Sequence, residues 1–425
     1  MKKKLSTAYQ REFTKNRFFS TGFTGVTTTT VFLHLLASQR LYNYFFKFVN
    51  FKGASFMKFT VTRNALLSEL NLAQGVIEKK STIPILSNIL LEAAGDHIDI
   101  TATDGDVTIR CGCFAAVAVE GATTISARRL FDIVRLLPEN SEIELSLLEN
   151  GWVELRSGNS HYKIVAIPKD DFPVIPDTAP TITVIPGNLL ERMIQRTMFA
   201  ITQEESRYTL NGSLLVFQPD VVHMVATDGH RLALVSKSME IPGVKEDVRV
   251  LIPRKTLTEI LKFVSGQDIA VEFGRNDNHL FFSAGNKQIV SRILAGQFPN
   301  YELVIPREND KLIVIETKAF GDCIRRAAIM SDEKLKSVKL SFGTGELEIS
   351  AINADAGESR EVLPIEFEGE KIDIGFNSQY LLEFIGACGA DSVSVAIKDS
   401  DTQGLLRPVG ADDMDYRYVA MPMNV

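Results

Sequence analysis

The sequence contains few of the residues from which metal sites, disulfide frameworks and redox centres are built. Its 425 residues include four cysteines, six histidines and one tryptophan. The histidines have no HExxH or other paired-ligand spacing, and no CxxC pair occurs among Cys111, Cys113, Cys323 and Cys388. We therefore predict buried free thiols in a reducing cytoplasm, with no metal and no other cofactor.

Long apolar runs and nucleotide-binding patterns are also missing. The partly apolar stretch 31–49 is interrupted by Gln39, Arg40, Asn43 and Lys47, which argues against a membrane-spanning helix. There is no Gly-x4-Gly-Lys-Ser/Thr loop and no dinucleotide fingerprint. With 45% hydrophobic and 23% charged residues the composition is that of a globular protein, and the length suits three domains.

Acidic residues are almost absent from the first 56 residues. This segment has nine lysines and arginines but only Glu12 as an acid, so it carries a charge of +8, whereas the rest of the chain carries −15. A basic, acid-poor leader is typical of targeting segments, but translation from an upstream start is the simpler interpretation because the repeated pattern begins at Met57. We predict that residues 1–56 form a poorly ordered leader that is dispensable for folding.

The chain does contain an internal repeat. Ala102-Thr103-Asp104-Gly105 returns 124 residues later as Ala226-Thr227-Asp228-Gly229, and a weaker echo follows at Ser350-Ala351-Ile352-Asn353. A period of this length corresponds to one domain. The sequence therefore predicts three related domains, 57–180, 181–308 and 309–425.

Each third contains two segments with apolar residues at helical spacing. The first segments run from Leu66 to Ile77, from Leu189 to Thr197 and from Phe320 to Ala327, and the second are 126–137, 253–264 and 377–388. Ser126, Pro253 and Asn377 fit the starts of the second helices, because short polar caps and an early proline suit amides that lack helical partners.

Short alternating runs separate these helices and indicate strands. They include 98–110, 142–148, 152–157, 221–226 and 347–351, and they are divided by Gly, Asn and Asp. The predicted fold class is therefore α+β, with three β-rich domains of two helices each.

An ordered set of motifs resembles one protein family. The motifs are Met57-Lys-Phe-Thr-Val, Ile83-Pro84-Ile85-Leu86-Ser87-Asn88, Ala226-Thr-Asp-Gly-His-Arg-Leu-Ala233, Ile252-Pro-Arg-Lys255, Ile374-Gly-Phe-Asn377 and Tyr418-Val-Ala-Met-Pro-Met423. Together they resemble the bacterial DNA polymerase III beta subunit, the replicative sliding clamp, from Met57 to Val425. The resemblance implies domains of the DNA-clamp type in a head-to-tail homodimer, closed into a six-domain ring with helices inside and sheets outside.

The resemblance also implies a function. A clamp of this kind is a non-catalytic processivity factor of the bacterial cytoplasm, nucleoid-associated during replication, that encircles double-stranded DNA without sequence preference. It tethers the replicative polymerase alpha subunit, the clamp loader, and other polymerases and repair proteins through short linear motifs.

Basic residues of an acidic DNA-encircling protein must be concentrated where the duplex passes. They are frequent on the predicted helices, and phosphate contacts would hold DNA without reading its bases. An ordinary solvated helix surface is the alternative for any one of them. From these positions and the resemblance, the predicted DNA contacts are Lys80, Arg128, Arg196, Arg207, Tyr208, Arg254 and Lys255.

A hydrophobic groove between the second and third domains is implied to bind partner peptides. The residues at matching positions are Leu210, Thr227, Gly229, His230, Arg231, Leu232, Pro299, Val304, Asn377, Tyr380, Val419, Met421, Pro422 and Met423. Adaptable methionine side chains suit such a pocket, and ordinary domain packing is the alternative for the apolar members. Leu303, Leu335 and the Asn424-Val425 end depart from the residues common in the family, which bears on motif preference.

Ring closure requires an edge on the first domain that meets the third domain of a second copy. His161-Tyr162-Lys163-Ile164 alternates polar and apolar residues as an edge strand does. The resemblance places Tyr162, Ile164, Ile329 and Met330 at this seam, with core packing as the alternative.

Asp228 and His230 are the residues that most suggest an enzyme. As nucleophile and base, or as metal ligands, they would need a third orienting group and a cleft that the sequence does not supply. Asp104-Gly105 occupies the equivalent place without a following His-Arg, which favours a turn. We predict no catalysis. A β-rich scaffold or adhesion protein that does not encircle DNA would explain the repeats but not the basic helices.

Overall fold

The computed structural model describes residues 56–77, 82–204, 206–410 and 413–424. The predicted leader, 1–56, therefore lies outside the described residues except for Phe56. The described residues form six helices and 25 strands, and a motif of two helices and eight or nine strands occurs three times. We refer to residues 57–167, 181–292 and 311–420 as the first, second and third repeats.

The six helices lie where the apolar spacing predicted them. In chain order they are α1 Arg63–Val76, α2 Ala127–Leu136, α3 Gly187–Thr197, α4 Arg254–Val264, α5 Thr317–Ala327 and α6 Ser378–Cys388. The Asn377 side chain accepts hydrogen bonds from two amides of the first turn of α6, as a capping residue does. Ser126 precedes α2 but its side chain makes no capping hydrogen bond, so that prediction was wrong in its mechanism.

The strands of each repeat follow the same order around the two helices. The first repeat contains β1 Met57–Thr62, β2 Asn88–Ala94, β3 His97–Thr103, β4 Val107–Phe114, β5 Ala116–Val119, β6 Gly121–Ser126, β7 Glu142–Leu147, β8 Trp152–Ser157 and β9 Ser160–Ile167. The second contains β10 Thr181–Pro186, β11 Gly212–Gln218, β12 Val221–Thr227, β13 Arg231–Ser238, β14 Val248–Pro253, β15 Ala270–Arg275, β16 His279–Ala284 and β17 Lys287–Arg292. The third contains β18 Lys311–Glu316, β19 Ser337–Gly343, β20 Glu346–Asn353, β21 Gly357–Pro364, β22 Ile372–Asn377, β23 Ser392–Ile397, β24 Gly404–Val409 and β25 Asp415–Ala420.

Antiparallel pairing joins neighbouring repeats into common sheets. A 13-stranded sheet has the order β10-β15-β16-β17-β4-β3-β2-β6-β9-β8-β7-β1-β5, an eight-stranded sheet has β14-β11-β12-β13-β25-β24-β23-β18, and a four-stranded sheet has β21-β20-β19-β22. The β17–β4 pair connects the second repeat to the first, and the β13–β25 pair connects it to the third. The repeats are thus held together by main-chain hydrogen bonds as well as by side chains.

The helices pack side by side in one row along the molecule. Within each repeat the two helices are in contact, and α1 also contacts α4 while α3 contacts α6. The order of the row is therefore α2-α1-α4-α3-α6-α5. Because the helices of all three repeats form this one row, the basic residues that they carry lie on one common layer.

The eight-stranded sheet is buried on both faces in its central strands. Leu215 and Phe217 face the main core beneath the helices, whereas Leu214 and Val216 face a second, smaller cluster. Alternate side chains of a strand point to opposite faces, so a strand with two buried faces is apolar throughout. Phe298, Val304 and Ile305, from the segment that leads to the third repeat, cover this second cluster.

The four thiols are free, and Cys111, Cys323 and Cys388 are buried as predicted, while Cys113 is half-buried. In the part of the chain that the structure describes, no three or more His, Cys, Asp and Glu side chains lie close enough to hold a metal ion. No described helix is both long and apolar enough to cross a membrane.

Candidate functional site

The turn between β12 and β13 is shaped by its own side chains. Asp228 Oδ1 accepts hydrogen bonds from the amides of His230 and Arg231 at 2.9 and 3.1 Å, and the Gly229 amide donates to Thr227 Oγ1 at 3.1 Å. Gly229 has a φ of 90°, in the left-handed region that favours glycine. The Asp228 carboxylate is thus occupied in forming the turn, as the comparison with Asp104-Gly105 predicted.

The same turn occurs in the first repeat. The Gly105 amide donates to Thr103 Oγ1 at 3.1 Å, and Asp104 Oδ1 accepts from the two amides that follow Gly105. In the third repeat Asn353 Oδ1 accepts from the Asp355 amide at 2.9 Å. The repeated sequence motif therefore encodes a repeated turn, as predicted.

Arg231 ties this turn to the third repeat. Its buried guanidinium donates from Nε to Asp228 Oδ2 at 3.0 Å and from Nη2 to the Phe199 oxygen at 2.6 Å, and Nη1 is paired with Glu383 on α6. The guanidinium carbon also lies 4.2 Å from the centre of the Tyr380 ring. Because all three nitrogens of its guanidinium are engaged, the Arg231 side chain is held in one position at the junction of the second and third repeats.

The end of the chain lies beside the turn. The Met421 amide donates to the His230 oxygen at 3.0 Å, and the Met423 amide donates to the Gly375 oxygen at 2.8 Å. Both methionine side chains, and Pro422 between them, are half-buried. The Met-Pro-Met segment is therefore anchored by its backbone while its side chains partly face solvent.

The apolar residues predicted for the groove divide into two groups. Leu232 and Val419 are opposite each other in the β13–β25 pair and pack in the second apolar cluster with Val304. Leu210 is half-buried in the short 3-10 turn Tyr208–Leu210, and Pro299 is exposed on the segment that follows β17. Leu232 and Val419 are themselves buried, so they can form only the floor of a groove.

The third repeat contributes Asn377 and Tyr380. Asn377 caps α6, and the main-chain oxygen of Tyr380 accepts a hydrogen bond from Tyr418 Oη at 2.9 Å. The Tyr380 ring is half-buried beneath Arg231. These contacts bring the start of α6 to the same junction as the β12–β13 turn.

The residues predicted to contact DNA differ in their exposure. The side chain of Arg128 on α2 is 82% exposed, and Arg207 and Tyr208 are exposed in the loop before β11. Arg254 and Lys255 open α4, where Arg254 Nη1 donates to the Ile201 oxygen at 3.3 Å. Lys80 lies outside the described residues.

Two of the predicted DNA contacts, Arg196 and Lys255, are engaged in contacts within the chain. Arg196 is only 9% exposed, and its guanidinium lies 5.4 Å from the centre of the Tyr416 ring, so the prediction that it contacts DNA was wrong. Lys255 Nζ is paired with Asp104 and donates to the Val76 oxygen at 2.9 Å, which ties the second repeat to the first. Spacing alone showed that both residues were on helices but not which side of the helix faced a neighbour.

At the predicted seam, Tyr162 and Ile329 are exposed and Met330 is half-buried. Ile164 is only 5% exposed and packs in the main core, which agrees with the alternative of core packing for this residue. β9 pairs with β8 along its length, but it meets β6 only at Ala166 and Ile167. The segment 160–165 therefore has one unpaired edge.

Sequence reasoning missed the strand that has the corresponding edge in the third repeat. β21 lies at the end of the four-stranded sheet and pairs only with β20. Its residues alternate between exposed and half-buried, and the polar and charged side chains of Glu358, Ser359, Arg360 and Glu361 at its start are typical of an edge strand. That composition was the signal that could have identified it.

Three family models match consecutive parts of this chain. They describe the N-terminal domain of the DNA polymerase III beta subunit at residues 57–176, its central domain at 184–300 and its C-terminal domain at 302–424. The chain belongs to the DNA polymerase III beta subunit family. The three repeats are thus three clamp domains, and the resemblance seen in the sequence is confirmed.

Relatives of known name support this assignment over the whole repeated region. The beta sliding clamp of Pseudomonas putida is 35% identical over 372 residues, which covers 87% of this chain and 100% of the relative. The crystal structure of the DNA polymerase III subunit beta from Pseudomonas aeruginosa has a TM-score of 0.83 at 34% identity, with the same coverage. A sliding clamp from that organism bound to griselimycin has a TM-score of 0.82 at 34% identity and covers 88% of this chain and 100% of its own.

As a member of this family the chain functions as a sliding clamp, a non-catalytic subunit of the DNA polymerase assembly. The scaffold or adhesion alternative is not favoured. The bacterial relatives indicate a protein of the bacterial cytoplasm.

Proposed function

We propose that two copies of this chain close head to tail around duplex DNA. The unpaired edges of β9 in the first repeat and β21 in the third support this arrangement, because antiparallel addition of one edge to the other would satisfy both. Tyr162, Ile329 and Met330 would cover the joint. A heterologous contact of this kind forms a closed ring when the rotation comes full circle.

The row of helices would form the inner surface of that ring. Arg128, Arg207, Tyr208 and Arg254 are the proposed DNA contacts, with Lys255 in a lesser role because its ammonium is already paired with Asp104. Phosphate contacts of this type do not read bases and weaken with salt. The ring would therefore slide along DNA, and topology would retain it. Association with the nucleoid during replication would follow.

The junction of the second and third repeats would bind the short motifs of partner proteins. The proposed groove is formed by Leu210, Thr227, Gly229, His230, Arg231, Leu232, Pro299, Val304, Asn377, Tyr380, Val419, Met421, Pro422 and Met423. The partly exposed methionines on an anchored backbone support binding of several different peptides. The replicative polymerase alpha subunit, the clamp loader and repair polymerases are the expected partners. We also propose domain boundaries near residues 180 and 308.

A retention experiment tests the encirclement. The purified clamp is loaded on nicked circular plasmid with a clamp loader, freed from unbound protein by gel filtration, and cut once with a restriction enzyme. We expect the clamp to stay on the circle and leave the linear DNA within minutes at moderate salt. Equal dissociation from circle and linear form would show that affinity, and not topology, holds the DNA.

A further inference from the structure

A second cleft lies on the outer face of the eight-stranded sheet, next to the proposed groove. It has a volume of about 750 Å³ and is lined by residues of β12, β13, β24 and β25 and of the segments 301–302 and 305–307. None of the residues predicted for the groove lines it. It is therefore a separate feature of the junction between the second and third repeats.

The cleft and the groove share one apolar cluster. Leu234, Tyr301 and Ile305 line the cleft, and they pack in the same cluster as Leu232 and Val419 of the groove. The two sites are therefore built over the same buried cluster.

The strand β13 sets the distance between the two sites. Leu232, Leu234 and Ser238 are at alternate positions and so face the same side of the sheet. Six residues separate Leu232 from Ser238, which corresponds to roughly 20 Å at about 3.4 Å per residue. An extended peptide of about six residues would span this distance.

Three arginine side chains, Arg307, Arg407 and Arg417, line the cleft. Asp415 is shared by Arg407 Nη2 at 2.5 Å and Arg417 Nη2 at 2.6 Å. Arg307 is exposed, and within the described residues no carboxylate lies close enough to pair with it. The buried Nε of Arg417 has no hydrogen-bond acceptor in the described part of the chain. Asp415 thus forms ion pairs with two of the three arginines, and Arg307 has none of these pairs.

The second aspartate of the cleft is also engaged by cations. Asp413 is bound by Lys237 Nζ at 2.5 Å and by Arg192 Nη1 at 3.4 Å. Among the described residues, the lining of the cleft has three arginines, Arg307, Arg407 and Arg417, and three acids, Glu302, Asp413 and Asp415, and each of the two aspartates is already paired with two cations. Burial and the charge of Arg417 both lower the pKa of His223, which also lines the cleft. The site is thus suited to a ligand that brings carboxylates.

We propose that this cleft binds an acidic stretch that flanks the clamp-binding motif of a partner protein. Aspartate or glutamate side chains of the extended flank pair with Arg307, Arg407 and Arg417, and its apolar side chains lie on Leu234 and Tyr301. This inference rests on the proposed peptide groove. It adds a charge preference about six residues away from the motif, which raises affinity for partners that carry acidic flanks.

Peptide binding to the full chain tests the proposal. The clamp-binding segment of a replicative polymerase alpha subunit is labelled and made without extension, with six glutamates added at either end, and with six lysines at either end. Fluorescence anisotropy should show about tenfold tighter binding for one of the glutamate forms, with the gain lost at high salt. Equal affinity of the glutamate and unextended forms would overturn the proposal.

Two arginine variants localise the effect. Arg307→Ala, at an exposed side chain, should remove the glutamate gain and leave the unextended peptide unaffected. Arg275→Ala is the matched control, because Arg275 is exposed in the neighbouring cleft across the segment 294–300. Loss of the gain in Arg275→Ala but not in Arg307→Ala would place the acidic flank elsewhere and reject this cleft.

A free hexaglutamate peptide separates this proposal from the groove itself. Weak binding that Arg307→Ala abolishes supports the cleft even if the unextended motif peptide does not bind. Failure of the motif peptide alone counts against the groove, whereas hexaglutamate binding that Arg307→Ala does not change counts against the cleft.

Discussion

Arg207 donates a hydrogen bond from Nη1 to the main-chain oxygen of Asp228, 3.0 Å away. The first residue belongs to the exposed loop proposed to contact DNA, and the second forms the turn at the proposed peptide groove. A single side chain therefore connects the two surfaces. It is also paired through Nε with Glu204 at 3.0 Å, so the guanidinium has a defined position.

Replacing Arg207 should affect both surfaces. Arg207→Ala removes a phosphate contact and the hydrogen bond to the turn, so we expect faster loss of the clamp from nicked circles. Peptide binding should weaken by up to about fivefold, because one hydrogen bond contributes roughly 1 kcal/mol. Arg128→Ala is the control, since Arg128 is exposed on α2 and remote from the turn in sequence. Peptide affinity that is the same in the two variants would show that the Arg207 hydrogen bond does not support the groove.

Arg231 should be required for stability at the junction of the second and third repeats. Arg231→Met would leave the carboxylates of Asp228 and Glu383 without their cation, and we expect a loss of about 3 kcal/mol in the free energy of unfolding measured with urea. Arg360→Met removes an exposed ion pair with Glu348 and should cost less than about 1 kcal/mol. Similar losses in the two variants would show that the buried network adds little.

The proposed ring should open when charge is placed at the seam. Ile329 is 75% exposed at the end of α5, and Ile329→Asp would bury a carboxylate without a partner in the dimer. We expect sedimentation velocity to show monomers at concentrations where the unchanged protein is dimeric. Val174→Asp, at a position 97% exposed between β9 and β10, should leave the dimer intact. A dimeric Ile329→Asp protein would remove Ile329 from the seam.

The ion pairs of Asp415 should make the free energy of unfolding decrease at acid pH. Burial acts to raise the pKa of Asp415, but the hydrogen bonds and charges of Arg417 and Arg407 outweigh it and hold the pKa below its usual value. A depressed carboxyl pKa stabilises the fold above the unfolded value of about 3.9, and this contribution is lost as the pH falls through the lower folded pKa.

Thermal unfolding of Asp415→Asn measures this contribution. The melting temperature of the variant should lie below that of the unchanged protein at pH 7, and the difference should narrow as the pH falls below about 4. A difference that stays constant from pH 7 to the acid limit would show that the loss comes from packing and not from charge.

Local sequence signals predicted the elements and the repeated turns well. The spacing of Leu189 and Met193 placed α3, and Asn377 marked the start of α6, because helix periodicity and capping depend on residues only a few positions apart. Thr227 and Asp228 likewise form their turn by hydrogen bonds within the same five residues. None of these features needs a distant part of the chain.

Site residues were less predictable where two repeats meet. The pattern of α3 placed Arg196 at a helix surface, but the Tyr416 ring, 220 positions away in sequence, covers it. Ile164 alternates with exposed neighbours in β9, and only its packing in the core of the first repeat, beside Val153, shows that it faces inward. Which face of a helix or strand is buried depends on the residues that pack against it, and these can be distant in sequence.

The sequence by itself determined three successive domains, their helices and turns, and membership of the sliding clamp family, because each of these rests on short-range periodicity and ordered motifs. Only the tertiary structure decided that Arg231 joins Asp228 to Glu383, that β21 has an open edge, and that Arg307 and Arg417 meet at one cleft. Such contacts join residues tens to hundreds of positions apart, and their geometry follows from how the β13–β25 pair and the row of helices bring the repeats together.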